Sequence, residues 1–266
     1  MLYENRYTRI IEHIFLQKYA EGMTEVPFER GDIISAAEEL KISLPKNIGD
    51  VIYSVRYRTR LPQPILDRAP PGKEWVILPA GRSRYRFVAV HRAIVEPNRA
   101  LAETKVPDCT PGIVALYAMT DEQALLARLR YNRLIDVFTG VTCYSLQSHL
   151  RTTVQDIGQI ETDEIYVGID RRGAHYVIPV QVKTQGDRIS IVQIAQDIAM
   201  CSEKFPDLIC IPIAAQFLED GLIAVFSFEQ SAHGVSVVGE KHYRLVPPSE
   251  MSPEDIRAYR SRLPEN

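Results

Sequence analysis

The sequence has few cysteines, no long apolar run and no overall excess of positive charge. Its four cysteines, Cys109, Cys143, Cys201 and Cys210, are far apart and include no CxxC pair, which argues against a zinc site and favours buried free thiols. No apolar stretch approaches the roughly 20 residues that a membrane-spanning helix needs. The first residues lead into an amphipathic segment and not into a signal peptide, so we expect a cytoplasmic protein with no membrane partner.

The composition is that of a globular protein with an uneven charge distribution. The 266 residues, 45% of them hydrophobic, suffice for one large domain or two smaller ones. The net charge of −3 disfavours a polyanionic partner, yet positive charge is concentrated between residues 56 and 92. The local field decides whether a surface attracts nucleic acid. The arginines expected to contact DNA are Arg56, Arg58, Arg60, Arg82, Arg84 and Arg86.

Residues 1–95 predict a winged-helix-like DNA-binding domain. Apolar residues at helical spacing favour helices over residues 4–20, from Asp32 and from Asn47, the last two with these residues as N-caps. Two apolar runs around Gly81 then predict a β-hairpin. Three helices followed by a hairpin is the order of a winged helix, whose third helix would enter the major groove of DNA. A basic surface on a small structural subdomain is the alternative.

The rest of the chain predicts an α/β (α+β) domain, in which helices flank a mixed sheet. A proline-containing connector at residues 96–112 precedes this domain at 113–247, and a C-terminal helix occupies 248–266. The elements expected in the domain are, in order, a long helix from Thr120-Asp-Glu-Gln to Gly140, a hairpin at 160–183, a helix at 190–201 and buried strands starting at Leu208 and Leu222. The run Glu240-Lys241-His242 is interpreted as surface.

The predicted hairpin carries polar side chains on otherwise apolar strands. Glu161 and Asp163 share one face of the first strand, as Gln181 and Lys183 do on the second, while Glu164 points to the opposite face. Half-buried charges are costly unless they pair or bind a metal. A cross-strand ion pair on a solvated face, contributing about 0.2–1 kcal/mol, is the structural alternative to a metal site.

A helix beside a hairpin, with Asp in one strand and (Asp/Glu/Gln)-x-Lys in the next, followed by a helix and a strand, resembles the PD-(D/E)xK nuclease superfamily. Asp163 matches the acidic residue of that family. Gln181 and Lys183 match its (D/E/Q)xK pair, in a form similar to that of Mrr-like restriction nucleases. The resemblance covers roughly residues 120–230. It implies a restriction-endonuclease-like fold and Mg²⁺-dependent hydrolysis of phosphodiester bonds in double-stranded DNA.

The resemblance also implies roles for individual residues. Mg²⁺, for which Mn²⁺ is expected to substitute, would be bound by Asp163, the Gln181 side-chain oxygen, the Val182 carbonyl and Glu161. Lys183 would orient the attacking water or counter negative charge on the phosphate. The candidate catalytic residues are thus Asp163, Gln181, Lys183 and Glu161. The further candidates are Gln193, His149, Arg151 and Glu122.

Three functions remain open from the sequence. The leading one is a restriction-type DNA endonuclease, which we expect to be a homodimer because two active sites can cut both strands of a symmetric target. The second is a DNA-binding or regulatory protein whose nuclease-like core no longer cleaves, since the neutral Gln181 should weaken Mg²⁺ binding. The third is a nuclease for RNA or branched DNA with the same catalytic groups.

Overall fold

The computed structural model describes residues 5–57, 59–91, 93–117, 121–231 and 234–262. The helices of these ranges are too short or too polar to cross a membrane. Two sheets, of three and eight strands, organise the described residues, and residues 94–95 and 189–190 form a separate two-stranded pairing.

The first sheet belongs to the N-terminal region. Its elements are α1 (Arg6–Lys18), β1 (Glu25–Glu29), α2 (Arg30–Glu39), α3 (Gly49–Tyr57), α4 (Gln63–Leu66), β2 (Glu74–Pro79) and β3 (Arg84–Val90). The strands form an antiparallel sheet of order β1-β3-β2. Phe15 of α1 lies at the centre of the core, with its ring 5.1 Å from Trp75 and 5.0 Å from Phe87. The three helices and the hairpin are confirmed, whereas β1 and α4 were not predicted.

Side-chain caps determine where these helices begin. Asn5 accepts a hydrogen bond from the Tyr7 N–H at the start of α1, and Asn47 accepts one from the Gly49 N–H at the start of α3. The predicted cap at Asp32 is wrong, because α2 begins after Glu29. Asp32 is the third residue of that helix and its carboxylate accepts the Glu29 N–H at 2.7 Å, as in a capping box.

The elements after residue 93 are β4 (Ile94–Val95), β5 (Glu103–Pro107), α5 (Gly112–Tyr117), α6 (Glu122–Tyr131), α7 (Leu134–Thr139), β6 (Thr142–Val154), β7 (Gly158–Ile169), β8 (His175–Lys183), β9 (Ile189–Ser190), α8 (Ile191–Lys204), β10 (Ile209–Cys210), β11 (Ile213–Phe217), β12 (Leu222–Ser231), β13 (Gly234–Val246) and α9 (Pro253–Arg260). The second sheet is mixed and has the order β5-β13-β12-β11-β8-β7-β6, with β10 also paired to β8, while β4 pairs with β9 alone. β6, β7 and β8 form an antiparallel meander, and α8 then crosses to β11, which is parallel to β8.

Helices cover both faces of this sheet. Leu125 and Leu129 of α6 pack with Val180 of β8 in one core, and Ile194 of α8 packs with Phe226 of β12 in another. A mixed sheet flanked by helices, as predicted, is therefore confirmed. Part of the stretch predicted as a connector, 96–112, forms β5 at the edge of the sheet.

Four local predictions are corrected. The single long helix is two helices, because Arg133 adopts a left-handed conformation (φ 49°) between α6 and α7. Residues 142–154, for which no strand was predicted, form the edge strand β6, whose polar side chains face solvent. His242 is buried and contacts Glu240 at 2.9 Å, so the run from Glu240 is not all surface. Cys109 is exposed, unlike the buried Cys143 and Cys201.

Candidate active site

The candidate site lies where the pairing of β7 with β8 ends. The two strands pair from Ile169 and His175 as far as Glu164 and Val180. Beyond this point the Asp163 carboxylate accepts a hydrogen bond from the Val182 N–H at 2.8 Å. A side-chain oxygen thus takes the place of a backbone acceptor, and this holds Asp163 beside the Gln181-Val182-Lys183 segment of β8. Asp163 is therefore adjacent to this segment, whereas the side chains of Gln181 and Lys183, which were predicted to share a face, contact different helices, α8 and α6 respectively.

Asp163, Lys183 and Glu122 form the charged centre of the site. Burial raises the pKa of Asp163 above its ordinary value, and the Lys183 ammonium opposes that rise. The Lys183 side chain is only 12% exposed, and its Nζ lies 3.6 Å from the Glu122 Oε1. Burial also raises the pKa of Glu122, again against the effect of Lys183. The first turn of α6 therefore places the Glu122 carboxylate beside Lys183.

Gln181 is almost fully buried and is hydrogen-bonded to a residue that the sequence analysis missed. Its Nε2 donates to the Oδ2 of Asp197 at 2.9 Å and to the backbone carbonyl of Glu161 at 3.3 Å. Asp197, on α8, also accepts a hydrogen bond from the Thr162 hydroxyl at 2.5 Å. Burial raises the pKa of Asp197 to about 7, although both hydrogen bonds oppose the rise.

A signal for Asp197 exists in the sequence. It falls within the apolar stripe of α8, between Ile194 and Ile198, where a charged residue needs a buried partner. Gln193 lies one helical turn before Asp197 on the same side of α8 and is half-buried. The structure therefore places Gln193 on the side of α8 that faces Gln181, in agreement with its predicted location.

Glu161 engages the neighbouring strand. Its carboxylate lies 3.1 Å from Arg151 and 3.9 Å from His149, both on β6. His149 is flanked by residues that pair with Thr162 and Glu164, so it lies opposite Asp163, and it has a left-handed backbone (φ 49°). Strained backbone of this kind is concentrated at functional sites. His149 and Arg151 thus border the site, whereas the Glu161 carboxylate contacts both of these side chains and is exposed.

A second ion pair, between the buried Glu164 and the partly exposed Arg130, lies next to the site and was not predicted. Glu164 is 0% exposed, and its carboxylate accepts hydrogen bonds from Arg130 of α6 at 2.6 and 2.7 Å. Ser145 and Ser148 also donate to this carboxylate. Glu164 points away from Asp163, as expected, and anchors the C-terminal turn of α6 to β7.

The oxygen atoms available suit a hard divalent cation. Mg²⁺ prefers oxygen ligands and is usually held by one or two carboxylates together with several waters. Asp163 supplies a carboxylate, Gln181 an amide oxygen and Val182 a carbonyl. In the described part of the chain, no three His, Cys, Asp or Glu side chains are grouped to hold a metal ion. A cation here would therefore depend on the neutral oxygens as well as on Asp163.

The predicted DNA-contacting arginines have different environments. Arg60, Arg82 and Arg84 are exposed. Arg56, at the end of α3, lies against the ring of Tyr85 at 5.7 Å. Arg86 forms an ion pair with Glu25 at 3.1 Å, and Arg58 lies outside the described residues. The exposed group on and near the β2–β3 turn is thus the most accessible part of the basic region.

Comparison with known proteins gives no further guide to function. No family model matches the sequence, and searches of curated proteins and of solved structures gave no match either. The chemistry of the site itself supplies the functional hypothesis: a half-buried carboxylate, an amide and an ammonium group lie at the end of a β-hairpin.

Proposed function

We propose that this protein is a Mg²⁺-dependent endonuclease of restriction type that hydrolyses phosphodiester bonds in double-stranded DNA. The observation that carries the proposal is the convergence of Asp163 with the Gln181-Val182-Lys183 segment at the end of the β7–β8 pairing. The order of elements from α6 to β11 supports a restriction-endonuclease-like core. The sequence resemblance to PD-(D/E)xK nucleases rests on these same positions.

Five residues of the site have roles in this proposal. Bound Mg²⁺ or Mn²⁺ would polarise the scissile phosphate and lower the pKa of an attacking water. Asp163 would supply the carboxylate ligand, while Gln181 and Val182 would supply neutral oxygens. Lys183 lies beside Asp163, where its ammonium counters negative charge that develops on the phosphate. Glu122 holds that ammonium in place through the contact at 3.6 Å.

The N-terminal region supports DNA as the substrate. Its helices, its β1-β3-β2 sheet and the exposed arginines of the β2–β3 turn fit a winged-helix-like domain that contacts the phosphate backbone. Arg82 and Arg84 would contact phosphates from this turn, and Arg60 from the segment after α3. A homodimer would place two catalytic sites on one duplex, which is the simplest way to cut both strands.

A DNA-binding protein without nuclease activity is the second candidate. Two observations favour it. The neutral Gln181 occupies the position that holds an acid in an (Asp/Glu)-x-Lys pair, and Lys183 is already paired with Glu122. A neutral ligand attracts a divalent cation less strongly than a carboxylate does. The two candidates share the same DNA-binding surface and differ only in whether the site holds a cation.

Cleavage of supercoiled plasmid DNA in the presence of Mg²⁺ or Mn²⁺ distinguishes the two candidates. We expect the wild type to cut, and we expect Asp163→Asn and Lys183→Met to lower the rate at least about 100-fold. Asp207→Asn, which removes a charge from an exposed position, serves as a control and should cut like the wild type. DNA binding measured by fluorescence anisotropy should survive in all variants.

The outcome that supports the second candidate is tight DNA binding without cleavage under either cation, with methylated and unmethylated plasmid. Parallel reactions with RNA and with branched DNA separate the nuclease classes, because the catalytic groups alone do not choose the substrate. Preferential cleavage of either of these substrates would overturn the assignment to double-stranded DNA.

A further inference from the structure

The side chain of Gln181 has two chemically different ends, and only one can bind a cation. The amide oxygen is a ligand for hard cations, whereas the amide NH₂ group is a donor and repels them. In the proposed site, Gln181 replaces an acid whose two oxygens would be equivalent. Its function as a ligand therefore requires that the amide be held in one orientation.

The residues around Gln181 fix that orientation. Its Nε2 faces the Asp197 carboxylate at 2.9 Å and the Glu161 carbonyl at 3.3 Å. Both partners are acceptors, so the NH₂ end must face them and Oε1 must occupy the other end of the amide. Asp197 is only 1% exposed, and the Thr162 hydroxyl donates to its second oxygen at 2.5 Å. The Asp197 carboxylate thus accepts hydrogen bonds from both strands, from Thr162 of β7 and from Gln181 of β8.

We propose that Asp197 is a positioning residue, which orients the Gln181 amide so that its oxygen serves as the neutral ligand of the proposed cation site. This inference rests on the proposed function. It adds that the acid absent from position 181 is present behind Gln181, as Asp197 of α8. A hydrogen bond to a carboxylate is stronger than one between neutral groups and polarises the amide, which makes its oxygen a better ligand.

Asp197→Asn is the first test, because it changes the shape of the side chain least. An Asn at this position accepts or donates equally well, so the Gln181 amide loses its single orientation as well as the nearby charge. We expect Mn²⁺ to bind about 10- to 100-fold more weakly, measured by titration calorimetry without DNA. Asp207→Asn is the matched control and should bind Mn²⁺ like the wild type. If the Asp197→Asn variant binds Mn²⁺ as tightly as the wild type, Asp197 contributes to packing alone and does not position Gln181.

The reciprocal exchange separates positioning from folding. In Gln181→Glu combined with Asp197→Asn, the amide introduced on α8 can donate its NH₂ group to the carboxylate introduced on β8, and the amide oxygen can accept from Thr162. We expect this double variant to regain Mn²⁺ affinity to within about threefold of the wild type, as expected when a restored outer contact supports a ligand. Gln181→Glu alone should melt at a lower temperature, because two buried carboxylates would face each other.

The outcomes distinguish this inference from the proposed function. Wild type that neither binds Mn²⁺ nor cuts nucleic acid overturns both. Wild type that binds Mn²⁺ and cuts, with Asp197→Asn indistinguishable from it, overturns the positioning role alone. The positioning role is also overturned if the double variant is folded, as judged by circular dichroism, but binds Mn²⁺ no more tightly than Asp197→Asn.

Discussion

Removal of Arg130 should destabilise the fold strongly, because it leaves a charge buried without its partner. Glu164 is 0% exposed, and Arg130 contacts both of its carboxylate oxygens. Removing one member of a buried ion pair typically costs about 3–5 kcal/mol in the free energy of unfolding. The hydroxyls of Ser145 and Ser148 still donate to Glu164 after the change. We therefore expect Arg130→Met to lose about 3 kcal/mol, the lower end of that range.

Urea unfolding followed by far-ultraviolet circular dichroism measures this loss. Tryptophan fluorescence is less suitable, since the single tryptophan, Trp75, belongs to the N-terminal core. Arg151→Met is the matched control, because Arg151 also pairs with a glutamate but is 68% exposed. Exposed ion pairs contribute only about 0–1 kcal/mol, so this control should unfold at nearly the wild-type urea concentration.

A second variant tests the cause of the loss. Glu164→Gln in the Arg130→Met background removes the unpaired charge and keeps a group that accepts from both serines. We expect this double variant to recover part of the lost free energy. The reasoning is refuted if Arg130→Met loses less than about 1 kcal/mol, or if the double variant is less stable than Arg130→Met. Either result would mean that solvent or a rearranged side chain satisfies Glu164.

Three further predictions follow from other parts of the structure. Gly168→Ala should destabilise the sheet by about 1–3 kcal/mol in urea unfolding, because the added Cβ would lie 2.6 Å from the Val141 side chain; Gly112→Ala, which has open space, should be neutral. Burial raises the pKa of the Cys143 thiol to about 11, whereas the thiol of the unfolded chain ionises near 8.5. Only the unfolded state loses this proton between those pH values, so the free energy of unfolding should fall there as pH rises, and less so in Cys143→Ala. Arg84→Ala should lower the slope of log K for DNA against log salt by about 1 in anisotropy titrations; an unchanged slope would exclude a phosphate contact.

The elements with strong apolar periodicity could be predicted from the sequence. The hairpin at 160–183 and the helix after Ser190 are both observed, because each buries a continuous apolar face. The edge strand β6 could not be predicted in this way, since one side of it remains in water and its residues are mostly polar. Its existence depends on pairing with β7, a contact that no local pattern in residues 142–154 reports.

The sequence predicted the site residues that lie on the adjacent strands β7 and β8. It did not predict Asp197 and Arg130, which lie on the helices α8 and α6. Asp163 and Lys183 were found through alternation along the hairpin. Asp197 lies within the apolar stripe of α8, and the periodicity of that stripe indicates only a core-facing helix side. Arg130 and Glu164 are 34 residues apart in the sequence, so no local pattern indicates their contact.

An interruption of strand alternation places Thr162 and Glu164, which are two residues apart on β7, on opposite faces of the sheet. Thr162 contacts Asp197 on α8, and Ile165 packs with Met200 of the same helix. These residues are three apart, whereas side chains on one face of a regular strand are separated by an even number. The irregularity falls between Thr162 and Glu164, because Glu164 contacts Arg130 of α6, and His149, which lies opposite Asp163, has a left-handed backbone. In a regular strand Thr162 and Glu164 would point to the same face, so the strand could not contact α8 through one and α6 through the other.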